Sequence, residues 1–156
     1  MFYQRARPLS SLSFTEREKR NHLDKERLVK RGKSHGIVVY SDGKPVASCQ
    51  YGPKEELPRI DQGRNYPKLH LDTKDLWRIT CFFVDKEHRR KGVAKIALKA
   101  ALDSIKKKGG GIVEAYPATH LKAVAIWFGS VRMFEKEGFR KVAKLGRSNI
   151  VMRRKI

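Results

Sequence analysis

Arg89, Arg90 and Lys91 stand directly before a lone glycine, Gly92, in the stretch VDKEHRRKGVAKIALKAAL that runs from residue 84 to 102. An apolar run ends at Val84, and a helical pattern begins at Val93. Strand, basic turn, glycine and helix in that order can bind an anion. The first N–H groups of a helix have no intrahelical acceptor and lie at the positive end of its dipole. Gly92 permits a positive φ and a close backbone approach, and Ala94 keeps the first turn free of bulk. Arg89 and Arg90 can add charge-assisted hydrogen bonds. A basic surface turn that binds nothing has the same local composition, and local physics does not choose between the two.

A second set of chemistry-bearing residues lies in GIVEAYPA, where Glu114 and Tyr116 fall on one face of a strand. A carboxylate among apolar strands is expected to have a raised pKa and can serve as a general base, directly or through water. The phenol beside it is the candidate acid. The plainer alternative is a salt-bridged Glu114, with Tyr116 anchoring the turn at Pro117. Other reactive side chains are less promising. Cys81 sits mid-strand with no activating base in view. His70 and His120 fall in loops and read as solvated histidines. Ser130 opens a helix and reads as its N-cap, while Trp127 and Phe128 read as core or substrate-wall residues. Two cysteines, Cys49 and Cys81, are too few for a disulfide framework or a zinc site, and no metal is expected. No G-x-x-x-x-G-K-[ST] or G-x-G-x-x-G sequence opens a helix.

The elements that must position these groups follow from periodicity. Residues 14–32 read as a solvated helix with a thin apolar stripe, stopped at Gly32. GIVVYSDGKPVASCQYG reads as a hairpin turning at Asp42-Gly43. Residues 53–75 hold three prolines and no sustained period, which marks a functional loop or lid. LWRITCFFV, residues 76–84, carries apolar side chains on both parities and reads as a strand covered on both faces. Val93 to Lys108 has the best helical pattern, with Ala94, Leu98, Ala101, Leu102 and Ile105 on one side. A strand at GIVEAYPA, a short helix closed by Gly138 and two glycine-linked strands follow. The expectation is a mixed α/β sheet in one domain spanning 1–156, with 1–13 as a flexible lead and 52–75 as a long loop.

Composition restricts the class of protein. The 156 residues include 36 Lys and Arg against 16 Asp and Glu, a net charge of +20. Such a field attracts polyanions: nucleic acid, an anionic membrane surface or a multiply phosphorylated small molecule. Aromatics are not interleaved with the basic residues as on a base-stacking platform, so nucleic acid is not favoured. No apolar run reaches a membrane span and no signal-peptide core opens the chain, so a cytoplasmic protein without membrane contact is expected.

The turn resembles a known signature. RRKGVA, Arg89 to Ala94, matches the [Q/R]-x-x-G-x-[G/A] pattern of the GNAT superfamily of acyl-CoA-dependent N-acyltransferases. MFEKEGFRKV, Met133 to Val142, looks like that family's LYEKxGFxxV junction, and IVMRRKI resembles its closing strand. The resemblance implies a mixed, mostly antiparallel twisted sheet flanked by helices. It implies acetyl-CoA as cofactor, its pyrophosphate on the backbone of Arg89, Arg90, Lys91, Gly92, Val93, Ala94 and Lys95. Its pantetheine arm would run beside Phe82, Phe83 and Val84, with Ser130 and Phe134 also on the cofactor side. Backbone groups there would polarise the thioester carbonyl, and an amine would attack directly.

Three positions depart from the family pattern. Phe134 replaces the tyrosine often proposed to protonate the departing thiolate, Trp127 stands where asparagine is common, and Ser130 where alanine is usual. The front of the chain also looks reduced, with one helix and no evident first strand before GIVVY. That leaves a sheet edge for a partner chain, and a homodimer is one expectation. The leading functional expectation is transfer of an acetyl group to a primary amine, on a small molecule or a protein. The alternatives are an acyl-CoA-binding protein that has lost catalysis, motivated by Phe134, and a basic nucleic-acid or ribosome-associated binder. The positive surface weighs against polycationic acceptors unless Glu55, Glu56 and Asp61 form a local acidic pocket.

Overall fold

The computed structural model describes residues 4–5, 10–119 and 127–156. Helix α1 (Phe14–Lys30) opens on a capping box in which the Ser13 hydroxyl accepts from the Glu16 N–H and Glu16 reaches back to Ser13. None of its residues is buried, in keeping with its solvated sequence. Strands β1 (His35–Ser41) and β2 (Lys44–Pro53) form the expected hairpin. Its turn places Asp42 and Gly43 at φ 49° and 75°, the left-handed pair that suits the twist of a two-residue hairpin. Strand β3 (Leu76–Val84), helix α2 (Val93–Lys107), strand β4 (Ile112–Ala115), helix α3 (Val131–Lys136) and strands β5 (Arg140–Leu145) and β6 (Asn149–Lys155) complete the order.

The six strands lie in the order β1-β2-β3-β4-β6-β5, antiparallel except for the β3–β4 pair. Helix α2 makes the crossover between those two parallel strands. It buries Ala97, Leu98, Ala101, Leu102 and Ile105 against the sheet; each leucine or isoleucine so removed from water is worth roughly 1.5–3 kcal/mol. Among the described residues one helix precedes the hairpin, and β1 pairs only with β2. Val38 and Tyr40 on β1 are exposed. Residues 1–6, MFYQRA, are too short and basic to read as a first strand from sequence, and they lie mostly outside the described residues.

Two irregularities, one in β3 and one at β4, shape the molecule. Gln50 faces Cys81 while Tyr51 faces Ile79, so Thr80 is an extra residue and forms a bulge. The bulge resets the alternation, which brings both Ile79 and Phe82 onto the α2 side, in the main core. Arg78 and Thr80 are buried on the opposite side. The mixed parity seen in LWRITCFFV therefore has two causes, cover on both faces and a slipped register. The second irregularity is at β4. Its four residues pair with Leu76–Ile79 of β3 and no further. Beyond them Pro117 has no N–H to donate, and its carbonyl turns to the β6 side, accepting from Ile150 N–H at 3.1 Å. Among the described residues, 80–84 of β3 thus have no strand partner on their β4 side, and the two strands part.

The loop from 53 to 75, expected as a lid, is pinned to the sheet. It contains two short 3-10 turns (Lys54–Glu56 and Pro67–Leu69) and buries Leu57 and Tyr66. Arg78 projects from β3 to hold it. Nη1 donates to the Leu57 carbonyl at 3.0 Å and to Asp61 Oδ2 at 2.7 Å, and Nη2 donates to Asp61 Oδ1 at 2.6 Å.

Both cysteines are free, Cys49 fully buried on β2 and Cys81 half-buried on β3. Burial pushes both thiols up from their ordinary range, so thiolate is scarce at neutral pH. Iodoacetamide at pH 8 should label Cys81 slowly and Cys49 only after denaturation, as read by peptide mass spectrometry. Labelling of Cys49 at the same rate in native and unfolded protein would contradict its burial.

Candidate active site

The basic turn has the backbone its sequence implies. After Asp85, whose side chain accepts from the Glu87 N–H at 3.0 Å, a 3-10 turn (Lys86–His88) leads to Arg89. Arg90 then takes φ 61° and Gly92 φ 81°, two left-handed residues in one tight turn. Such alternation curls successive N–H groups into a concave nest. Gly92 is the N-cap of α2 and has no side chain to cap it. Lys95 and Ile96 donate back to the Gly92 carbonyl at 2.9 and 3.2 Å. Val93 and Ala94, the first two helical residues, have no intrahelical acceptor and point their N–H groups outward. Arg90 and Lys91 are exposed beside them. Arg89 is drawn back instead: its Nε donates to the Val84 carbonyl at 3.1 Å.

That bond agrees with the direction of the β3 backbone. Asp85 donates to the Val46 carbonyl at 2.9 Å, and Phe83 lies opposite Ser48. In an antiparallel ladder the residues that bond to the partner strand alternate with those that do not. Phe83 and Asp85 therefore turn to β2, while Phe82 and Val84 turn their N–H and C=O groups to the parted side. Side chains alternate the other way. Phe82 is buried, with its ring edge-on to Phe134 at 6.1 Å, and Phe83 is exposed and stacked on Trp127 at 5.9 Å.

Phe134 is fully buried in the main core, edge-on between Phe82 and Phe139. The Ser130 hydroxyl accepts from the Met133 N–H at 3.2 Å and caps α3, in keeping with the plainer reading of that residue. His70 is exposed in the loop, and His120 lies outside the described residues.

Glu114 and Tyr116 do share a face, and they are joined. Tyr116 Oη donates to Glu114 Oε1 at 2.5 Å, and Arg153 Nε donates to Oε2 at 2.7 Å. The carboxylate expected to stand bare among apolar strands is fully buried but paired on both oxygens. Burial, reinforced by the Glu114 charge, pushes the Tyr116 phenol well above its ordinary value, so it stays protonated. Burial also raises Tyr66, which stands beside Glu114 and Arg78. Burial works against the charges of Arg78 and Arg153, but Asp61 with Tyr66 and Tyr116 at Arg78, and Glu114 with Tyr66 at Arg153, together more than offset it. Tyr66 Oη, Arg78 Nε and Arg153 Nη2 are buried with no hydrogen-bond partner among the described residues.

Tyr66 and Tyr116 form part of the wall of a cavity of about 420 Å³. Residues 59–60 and 63–65 of the pinned loop, Phe128, and Leu145 and Asn149 at the β5–β6 turn complete its lining. Asn149 Nδ2 donates to the Tyr116 carbonyl at 2.9 Å and fixes the end of β4. Glu55, Glu56 and Asp61, weighed as a local acidic pocket, do not line the cavity. Glu56 holds His35 Nδ1 at 2.8 Å, Asp61 is bound by Arg78, and Glu55 lines a separate cavity. Neither Arg78 nor Arg153 was among the residues picked out by sequence reasoning. One charge in the middle of LWRITCFFV was the available signal for Arg78, since a strand covered on both faces must give it a partner.

A family model described as "Acetyltransferase (GNAT) family" matches residues 3–139. The fold is similar to that of a ribosomal-protein-alanine N-acetyltransferase from Brucella melitensis, with TM-score 0.60 and 16% identity over 90% of this chain and 78% of that one. It is similar to the PaiA N-acetyltransferase of Thermoplasma acidophilum in complex with coenzyme A, at 0.62 and 15% over 91% and 74%. A third likeness is to the ribosomal-protein-S18-alanine N-acetyltransferase of Escherichia coli, at 0.54 and 14% over 93% and 90%. No curated protein sequence matches the chain significantly. The chain belongs to the acetyltransferase (GNAT) family, whose acetyl donor is acetyl-CoA.

Proposed function

We propose that this protein is an N-acetyltransferase acting on a primary amine by direct attack, with Tyr116 and Glu114 carrying away the amine's proton. The observation that supports this most is the 2.5 Å Tyr116–Glu114 hydrogen bond in the wall of a cavity. An alkylamine arrives as an ammonium of pKa about 10 and must lose a proton before its lone pair can attack. The Tyr116 hydroxyl takes that proton while passing its own to Glu114 Oε1. The new N–C bond forms as the C–S bond breaks, the nitrogen gives up its second proton to solvent, and the first rests on Glu114, whose neutral carboxyl stays held by Arg153.

Acetyl-CoA supplies the acetyl group as a thioester. The turn suits its diphosphate: a nest made by Arg90 and Gly92, the unpaired N–H groups of Val93 and Ala94, and the nearby Lys91 and Lys95 side chains. Arg89 serves by holding the Val84 carbonyl. The N–H groups of Phe82 and Val84 face the parted strands, where they can donate to a carbonyl oxygen that gains charge. Phe134 has no hydroxyl and is buried, so protonation of the departing sulfur falls to solvent.

The same Phe134 favours a second reading, a protein that binds acyl-CoA without turning it over. Release of free CoA across a broad amine panel separates the two. Under the first reading Tyr116→Phe and Glu114→Gln each lower kcat by about 100-fold or more, with acetyl-CoA affinity retained. Tight acetyl-CoA binding without CoA release from any amine would establish the second reading.

A further inference from the structure

The charge around the cavity behind Tyr116 is one-sided. Its ionisable lining residues besides the tyrosines are Arg59 and Arg64, and no Asp or Glu is among the described residues of its wall. Arg64 is exposed. The nearest acids are committed elsewhere, Asp61 to Arg78 and Glu114 to Tyr116 and Arg153. The rest of the wall sets apolar Ile60, Phe128, Leu145 and the tyrosine rings beside the neutral amides of Asn65 and Asn149. At about 420 Å³ the cavity lies at the small end of ligand sites, the scale of a single amino acid.

We infer that the acceptor is an amine that also carries a carboxylate, an α-amino acid with an apolar side chain, recognised through Arg64. This rests on the acetyl-transfer reading above. An amine with no second group brings only positive charge to this wall, and a polyamine brings more. A carboxylate reverses the sign at the rim, and a guanidinium can bind it through two parallel hydrogen bonds. The side chain then covers Ile60, Phe128 and Leu145, and the α-amine is left for the Tyr116 end.

Paired substrates isolate the carboxylate: L-phenylalanine against phenethylamine, and L-leucine against isopentylamine. CoA release is measured with wild type and Arg64→Gln, rates being referred to the unprotonated amine. Calorimetry of L-phenylalanine with the protein alone gives a readout independent of turnover. The wild type should prefer each amino acid by about 10-fold or more in kcat/KM. Arg64→Gln should remove that preference through a loss of kcat/KM with the amino acids, and weaken calorimetric binding of L-phenylalanine by the same factor. Equal or better use of the simple amines overturns the inference while acetyl transfer stands, and so does a preference that survives Arg64→Gln. Failure of all four, with other amines accepted, also overturns it. Failure of every amine tested, with acetyl-CoA still bound, removes the acetyl-transfer reading and the inference with it.

Discussion

Gly92→Asp should weaken acetyl-CoA binding by on the order of 100-fold and leave the protein folded. Gly92 is exposed, and a Cβ added there meets nothing within 4 Å, so the substitution creates no clash. Its cost to the fold is the left-handed φ of 81°, about 1–2 kcal/mol for a residue with a side chain. A domain stable by roughly 5–15 kcal/mol tolerates that. The cost to binding is larger. A carboxylate about 5 Å from a diphosphate charge, at an effective dielectric near 20, repels it by roughly 3 kcal/mol, on the order of 100-fold in Kd. The added side chain also stands in the mouth of the nest. Gly92→Ala separates these effects, since it carries the φ strain without the charge, and should weaken binding by less than about 10-fold. Calorimetric titration with acetyl-CoA and thermal melts of both variants decide the matter. An unchanged Kd for Gly92→Asp would remove the diphosphate from this turn.

Much of this turn could be read before any coordinates, because everything that makes it is local. Gly92, its cationic neighbours and the apolar helix after it are consecutive, and a left-handed N-cap is a property of one residue. The same holds for Asp42-Gly43 and for α2, whose bounds follow from a pattern repeated over four turns. Pro117 also carried a readable signal, since a proline just after a strand ends its pairing on one side. The pairings that build the cavity are different in kind. Arg78 meets Asp61 17 residues away, and Arg153 meets Glu114 across 39. Periodicity shows that a buried charge needs a partner, not which of 16 acids supplies it. Three acids in one loop, Glu55, Glu56 and Asp61, left room for a local acidic pocket. Two of them are instead held by His35 and Arg78, partners that only the folded sheet brings within reach.

That long-range dependence makes Arg78 the residue whose loss should disturb the fold most. Arg78→Leu keeps most of the volume on a fully buried strand position and removes three hydrogen bonds at once. The Leu57 carbonyl then loses its donor, and the Asp61 carboxylate loses both its partners. The guanidinium also stacks over the Tyr66 ring, 5.1 Å from its centroid, so the buried tyrosine loses its cover. Removing one member of a buried pair costs about 3–5 kcal/mol. Asp61 retains 29% of its side-chain exposure and can rehydrate, which places the loss near 3 kcal/mol. For a chain of this size that lowers Tm by roughly 6–12 °C. Arg78→Lys should recover little, because an ammonium cannot reproduce the two-pronged contact with Asp61. The damage should also be local. Trypsin should cut earliest after Arg59 and Arg64, in the loop freed from the sheet, while α2 and its turn stay protected. Because that loop forms one wall of the cavity and the Gly92 turn lies on a different part of the sheet, KM for the amine should rise with little change in acetyl-CoA affinity. A variant melting within about 2 °C of wild type would mean that the loop is held by something other than Arg78.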